Sequence, residues 1–132
     1  MLHRTLGNRL VLVTDCVRAG GMPDGKYTLG GQELTMKGVE CRLADGTIAG
    51  SVLKLNEAVR NYRDFAGIPM YEAVRAASLN AAESAGLAKT RGSLEPGKQA
   101  DVIIMDEMCR VKRVFVRGRE LGVRSEELGV RS

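Results

Sequence analysis

Apolar residues follow two different spacings along the 132-residue chain, and the first spacing indicates a buried strand. In the stretch LVLVTDC, residues 10–14 form a continuous apolar and β-prone run that stops at Asp15. A run without polar alternation is typical of a strand that is covered on both faces, as in the parallel sheet of an α/β protein. We therefore predict a strand over residues 10–14, with Asp15 at its carboxyl end.

The second spacing is helical and dominates the middle of the chain. Apolar residues recur every three or four positions over residues 51–66, where Ser51 is suited to cap the first turn and Gly67 to end the helix. The same spacing predicts a second helix over residues 69–79, with Pro69 in its first turn, and Asn80 is suited to cap a third, short turn. The apolar stripe of the first helix consists of Val52, Leu55, Val59, Tyr62 and Phe65.

Turn-forming residues and short β-prone segments surround these helices. Five glycines and Pro23 predict a long loop over residues 17–31, and the next β-prone pieces, which end near residue 45, predict a small hairpin. Near the C-terminus, an apolar strand over Asp101–Met105 is followed by an alternating strand from Val111. The chain is thus expected to end in β-structure.

The last residues contain a seven-residue repeat. Residues 120–126 read ELGVRSE and residues 127–132 read ELGVRS. Two copies are fewer than a coiled coil requires, and each copy contains a glycine. We expect residues 120–132 to be a poorly ordered tail.

Charge and cysteine content exclude several classes of function. The formal charge is +4, but residues 110–132 hold seven Arg or Lys against three Glu, so the excess lies in the tail and does not indicate nucleic-acid binding. The three cysteines include no C-x-x-C pair, and the chain has one histidine, which argues against a zinc site or a disulfide framework. The N-terminus resembles no signal peptide, and no apolar run is long enough to span a membrane. We expect a cytoplasmic protein.

Two segments are candidates for chemistry. Asp15 follows a predicted strand, and functional groups of α/β proteins lie at the carboxyl ends of strands, although an aspartate there can instead accept hydrogen bonds from its loop. Ala49, Gly50 and Ser51 precede the first long helix, so their N–H groups could bind an anion, although simple capping by Ser51 is the alternative. His3 and Cys16 are weaker candidates, because neither has a partner that the sequence can identify.

Five segments, in this order and spacing, resemble the C-terminal third of the N-acetylglucosamine-6-phosphate deacetylases, a family within the amidohydrolase superfamily. The resemblance runs from about residue 9 to residue 119, and the GSLEPGKQADVII motif identifies only the superfamily. The VTD segment joined to GMPDG, together with IAGS, is more specific to the deacetylases. These segments read LVLVTDC, AGGMPDGKYTLGGQEL, LADGTIAGSVLKLNEAVRN, AVRAASLNAAESAGL and GSLEPGKQADVIIMD.

The resemblance implies an α/β fold and a hydrolytic function. Residues 1–90 would be a C-terminal fragment of a TIM barrel, with the last strand, a hairpin and the terminal helices, and residues 91–119 would be strands of a small β-sandwich domain. The implied reaction hydrolyses the N-acetyl group of N-acetylglucosamine 6-phosphate. Asp15 matches the catalytic aspartate, which acts as general base and then general acid, and Ala49, Gly50 and Ser51 match the loop that contacts the phosphorylated amino sugar.

The resemblance also implies that much of the active site is missing. The family holds a divalent metal, zinc or iron, through a glutamate and two histidines that lie upstream of the matched segments. We therefore expect this chain to contain no metal ligands and to be inactive alone. Either it associates with a separately encoded N-terminal piece, or it forms a homo-oligomer, or it is only partly folded. The alternative is a non-enzymatic β/α interaction module or a degenerate remnant of an amidohydrolase.

Overall fold

The fold combines helices with two antiparallel sheets. The prediction that the chain mixes helices and strands is therefore confirmed. The computed structural model describes residues 2–38 and 40–122, without the side chains of Leu2 and Asn8. The helices are α1 (Leu2–Leu6), α2 (Leu55–Ala66), α3 (Met70–Ala77) and α4 (Leu79–Ser84), and a 3-10 turn covers Gly7–Arg9. The strands are β1 (Gly25–Leu29), β2 (Gln32–Lys37), β3 (Glu40–Leu43), β4 (Ile48–Gly50), β5 (Val102–Met105), β6 (Val111–Val116) and β7 (Arg119–Leu121).

Two compact units divide the chain, one spanning Val13–Ala58 and the other comprising the residues before and after it. In the Val13–Ala58 unit, β1 to β4 form a four-stranded antiparallel sheet in sequence order. Its core consists of Ala19, Leu34, Met36 and Cys41. The predicted hairpin is therefore part of a larger sheet. The predicted loop over residues 17–31 is wrong at Gly25–Leu29, which form β1.

The second unit contains the remaining helices and a three-stranded sheet. β5, β6 and β7 form an antiparallel meander, which confirms the predicted strand at Asp101–Met105 as Val102–Met105. Its core is centred on Val59, Ala73 and Cys109. Glu120 and Leu121 belong to β7, whereas residues 123–132 of the predicted tail lie outside the described residues. The domain boundaries at residues 90 and 119 stay a prediction.

The predicted strand over residues 10–14 is wrong for this chain. The segment is extended at Leu10, but within the described ranges no strand runs beside it, and its nearest pairing is an isolated parallel bridge between Cys16 and Ser51. The Leu12 N–H donates instead to the Ala76 carbonyl, 3.0 Å away. The burial that the apolar run predicts is absent as well, since Val13 is exposed and the other four residues are only half-buried. A strand also needs a neighbouring strand for its hydrogen bonds.

Helix α2 begins at Leu55 and not at Ser51, so the predicted start of this helix is wrong. The backbone of Ser51 is bonded to residues 15 and 17, and its Oγ accepts the Leu53 N–H at 2.9 Å, which makes a local turn. Glu57 provides the cap, because its Oε2 accepts the Lys54 N–H at 3.3 Å.

The predicted cap at Asn80 is also wrong. Helix α4 begins at Leu79 with Ser78 before it, and the Asn80 side chain is buried within the fold. By contrast, α3 forms as predicted directly after Pro69. No helix in the described part of the chain has the length and apolar character needed to cross a membrane.

Candidate functional site

The backbone around Asp15 is fixed by Ser51. The Ser51 N–H donates to the Asp15 carbonyl at 3.3 Å, and the Val17 N–H donates to the Ser51 carbonyl at 2.9 Å. Asp15 has a φ of +49°, in the left-handed region, which aspartate tolerates better than most residues. The structure therefore brings two of the predicted site residues, Asp15 and Ser51, into direct backbone contact, and leaves Asp15 exposed.

The segment that holds Ala49 and Gly50 is a strand, not a helix terminus. Both residues lie in β4, and the register between β3 and β4 shifts at Cys41 and Arg42. The prediction that these N–H groups emerge from a helix N-terminus is therefore wrong, because β4 pairs with β3 and α2 begins only at Leu55. Their role in binding substrate stays a prediction.

Gly50 permits a close contact beside Asp15. Its φ is +148°, and a methyl group added there would lie 2.4 Å from Val17 Cγ1 and 3.7 Å from the Asp15 carbonyl oxygen. Only glycine adopts this conformation without strain, so Gly50 allows β4 to approach the segment that carries Asp15.

The turn that leads into β4 is organised by Asp45. Its Oδ1 accepts the Thr47 N–H at 2.9 Å, and this hydrogen bond lowers the pKa of the Asp45 carboxyl. The Leu43 N–H donates to the Thr47 carbonyl and closes the turn at 2.8 Å. The direction in which residues 48–51 leave this turn is thus set by local hydrogen bonds.

The glycine-rich loop after Asp15 is a set of tight turns. The Gly20 N–H donates to the Val17 carbonyl at 2.8 Å, and the Met22 N–H donates to the Ala19 carbonyl at 3.0 Å. A Cβ at Gly20 would lie 2.0 Å from Cys16 Sγ. Gly20 and Cys16 are therefore in close contact, which the sequence alone did not reveal.

The weaker candidates take part in local contacts. His3 Nδ1 lies 2.7 Å from the Tyr62 hydroxyl, and the two rings meet edge to face. The Cys16 thiol donates to the Val17 carbonyl at 3.5 Å. Within residues 2–38 and 40–122, no group of three or more His, Cys, Asp or Glu side chains could hold a metal ion.

The arrangement presents one carboxylate on a fixed backbone. An exposed aspartate of this kind can accept a proton from a water molecule or from a substrate placed against it. Asp15 was identifiable from its place after an apolar run. Its contact with Ser51 was not, because the two residues are far apart in sequence and the hydrogen bond is made by backbone groups, which carry no residue-specific signal.

Comparison with known sequences relates the chain to hydrolases. The sequence model of the Amidohydrolase family matches residues 2–121. The N-acetylgalactosamine-6-phosphate deacetylase of Escherichia coli O157:H7 is 43% identical over 111 residues, which are 84% of this chain and 29% of that protein. The N-acetylglucosamine-6-phosphate deacetylase of Bacillus subtilis is 40% identical over 111 residues, which are 84% of this chain and 28% of that protein.

A solved structure shows the same similarity in three dimensions. It is the N-acetyl-D-glucosamine-6-phosphate deacetylase of Mycobacterium smegmatis, an aspartate-to-alanine variant in complex with N-acetyl-D-glucosamine-6-phosphate. The TM-score is 0.81 at 32% sequence identity, and the match covers 90% of this chain and 32% of that chain. The chain thus spans less than a third of the length of these three relatives.

Proposed function

Because the chain belongs to the Amidohydrolase family, we propose that it forms the C-terminal part of a deacetylase for N-acetylhexosamine 6-phosphates. The reaction is hydrolysis of the N-acetyl group of N-acetylglucosamine 6-phosphate to glucosamine 6-phosphate and acetate. The observation that carries this proposal is the identity of 40–43% to two such deacetylases over 84% of the chain.

In this proposal, residues 10–14 are the last strand of a TIM barrel, completed in the full-length enzyme by neighbouring strands. The segment is extended at Leu10, and Val13 is 74% exposed, as expected for a strand edge that further structure would cover. The meander of β5, β6 and β7 is then part of the small β-sandwich domain.

Asp15 is the proposed general base. Its carboxylate takes a proton from the water that attacks the acetamide carbon, and it returns that proton to the amine nitrogen as the carbon–nitrogen bond breaks. Two features support this role. Asp15 is exposed at the end of an extended segment, and its left-handed backbone is fixed by Ser51, so the carboxylate is carried on a defined backbone.

The substrate is proposed to contact residues 49–51. Ser51 is bonded to the Asp15 carbonyl, and Gly50 lies close to the same oxygen. A sugar phosphate held by this segment would therefore lie beside the residue that carries the proposed base.

A divalent metal, zinc or iron, is part of the proposed full-length enzyme, where it would activate water. The described residues do not fit a metal site, because they contain no suitable cluster of ligands. We propose that the ligands lie outside these residues and that the isolated chain does not turn over substrate.

N-Acetylgalactosamine 6-phosphate is a second candidate substrate. It is favoured by the relative from Escherichia coli O157:H7, which is named for this sugar. The two sugars differ in configuration at carbon 4, so relative rates on both decide between them.

A chimera tests the proposed function. Residues 2–121 replace the matching segment of the Bacillus subtilis deacetylase, and acetate release is measured with both sugar phosphates. We expect activity, and we expect Asp15→Asn to lower kcat by about 10²- to 10⁴-fold, as for removal of a general base. Asp24→Asn is the matched control, because Asp24 Oδ1 accepts the Gly38 N–H and the amide oxygen preserves that bond.

An Asp15→Asn chimera with the full kcat would exclude the assignment of the base. An unmutated chimera that folds and binds metal but releases no acetate would contradict the proposed function.

A further inference from the structure

A cavity of about 490 Å³ lies within the Val13–Ala58 unit, between the turns that follow Asp15 and the β1–β2 hairpin. Its volume is within the range of small-molecule sites, which is roughly 300–1,000 Å³. All of the residues that line it belong to this one unit, so no contact between the two units is involved. They include Arg18, Ala19, Met22, Tyr27, Leu29 and Leu34.

The floor of the cavity is part of a packed core. Ala19 is 4% exposed and Leu34 is 2% exposed, and both belong to the core of this unit. Leu34 lies opposite Tyr27 in the antiparallel β1–β2 pair, so their side chains share one face of the hairpin. Leu29 follows Tyr27 by two residues and extends the same face. The hairpin therefore gives the cavity a continuous wall.

Hydrogen bonds hold the other parts of the lining in place. The Tyr27 hydroxyl donates to the Pro23 carbonyl at 2.6 Å, which fixes the ring against the turn before β1. The Met22 N–H donates to the Ala19 carbonyl at 3.0 Å and closes the turn that carries both residues. Because these walls are ordered before a ligand arrives, binding costs little conformational entropy.

Arg18 supplies the charge of the cavity. Among the described residues that line it, Arg18 is the one cation and none carries a carboxylate. The Arg18 side chain is exposed, and within the described ranges it forms no ion pair or hydrogen bond. A guanidinium binds a carboxylate through two parallel hydrogen bonds, so an unpaired arginine at this position favours a ligand with one negative charge.

Apolar side chains at the cavity are open to solvent. Met22 is 49% exposed and Leu29 is 38% exposed. Covering apolar surface is favourable, so a ligand with an apolar body gains from contact with these residues. Inorganic phosphate has no such body, and an amine would be repelled by Arg18. The lining therefore selects for an anion that is also apolar.

We propose that this cavity binds a small organic anion, a carboxylate on an apolar or aromatic body. The carboxylate pairs with the Arg18 guanidinium, and the body lies against Met22, Leu29 and the Tyr27 ring. These residues take no part in the proposed deacetylation, so the site does not rest on the proposed function.

Binding of 3-phenylpropanoate to the 132-residue chain tests this site. Saturation-transfer difference NMR at micromolar protein concentration gives its Kd and that of 3-phenylpropanol, a neutral molecule with the same apolar body. We expect the carboxylate to bind about ten-fold more tightly than the alcohol. Arg18→Gln is expected to abolish this difference by weakening only the carboxylate, and circular dichroism checks that the variant folds.

Lys26→Gln is the matched control. Lys26 is exposed, precedes Tyr27 in β1 and is not among the residues that line the cavity, because neighbouring side chains of a strand point to opposite faces. The variant therefore removes a positive charge from the same hairpin and leaves the lining intact. We expect its Kd for 3-phenylpropanoate to stay within about two-fold of the unmutated value, since salt screens a charge outside the cavity.

Three results would overturn the proposal. Equal affinities for the carboxylate and the alcohol would show that Arg18 does not select the ligand. Equal affinities of Arg18→Gln and Lys26→Gln for 3-phenylpropanoate would show that binding occurs on exposed apolar surface elsewhere. Displacement of 3-phenylpropanoate by an equal concentration of inorganic phosphate would show that the cavity recognises charge without an apolar body. None of these measurements depends on deacetylase activity, so the site and the proposed function are tested separately.

Discussion

The smallest part of the candidate site is the pair of backbone hydrogen bonds that joins Ser51 to Asp15 and Val17. These bonds place β4 against the segment after Asp15, and a side chain at position 50 would meet the Val17 side chain in a strained backbone conformation. The proposed base is therefore held by backbone geometry, and a glycine is required beside it.

Gly50→Ala is expected to destabilise the unit that contains β1 to β4. The added methyl group would lie 2.4 Å from Val17 Cγ1, at a φ of +148°, and such strain costs about 1–3 kcal/mol. Urea unfolding followed by circular dichroism measures the change. Gly122→Ala is the control, because its added methyl group meets no atom within 4 Å. Equal urea midpoints for Gly50→Ala and Gly122→Ala would show that Val17 and β4 move to admit the methyl group at no cost in the free energy of unfolding.

At the scale of elements, the β5–β6 connection is organised by one carboxylate. Asp106 Oδ1 accepts the N–H groups of Met108 and Arg110, and Oδ2 lies 2.8 Å from Arg110 Nε. The Arg110 N–H contributes most to lowering the pKa of Asp106, which falls from 3.8 to about 2. Ionisation strengthens these bonds and supplies the negative charge that pairs with the Arg110 guanidinium.

The lowered pKa predicts that this turn is acid-sensitive. A carboxylate with a lower pKa in the folded state stabilises the fold above pH 3.8, and that contribution is lost as the pH falls from 3.8 towards about 2. We expect Asp106→Asn to melt below the unmutated chain at neutral pH and the difference to vanish near pH 2. Melting temperatures of both proteins, measured from neutral pH down to pH 2, test this prediction. A constant difference would mean that the charge of Asp106 does not support the turn.

Elements were predictable where their signal is local. Pro69 with the apolar spacing after it indicated α3, and the apolar run before Asp106 indicated β5. Prediction failed where a distant partner decides the structure. The backbone of Ser51 is bonded to residues 15 and 17, so α2 starts later, and Asn80 binds Leu10 instead of capping a helix. The candidate residues were identifiable, but their contacts were not, since those depend on tertiary hydrogen bonds.

At the scale of the whole molecule, the described residues bury few large side chains. Half of the buried apolar residues are alanines, and the largest fully buried side chains are Leu34, Cys41 and Cys109. Bulky apolar groups are exposed instead, with Phe65 at 89% and Leu94 at 80%. Exposed apolar side chains contribute to an interface with another polypeptide where they adjoin one another.

The exposed apolar residues predict that the isolated chain associates. Sedimentation velocity is expected to show a sedimentation coefficient that rises with concentration, and the chain is expected to enhance the fluorescence of anilinonaphthalene sulfonate, a dye that binds apolar surface. In the chimera, the Bacillus subtilis segment is expected to cover these side chains and suppress both effects. Phe65→Lys should weaken association without lowering the melting temperature, because the exposed ring contributes little to the fold. A chain that stays monomeric and binds no dye would show that it needs no partner.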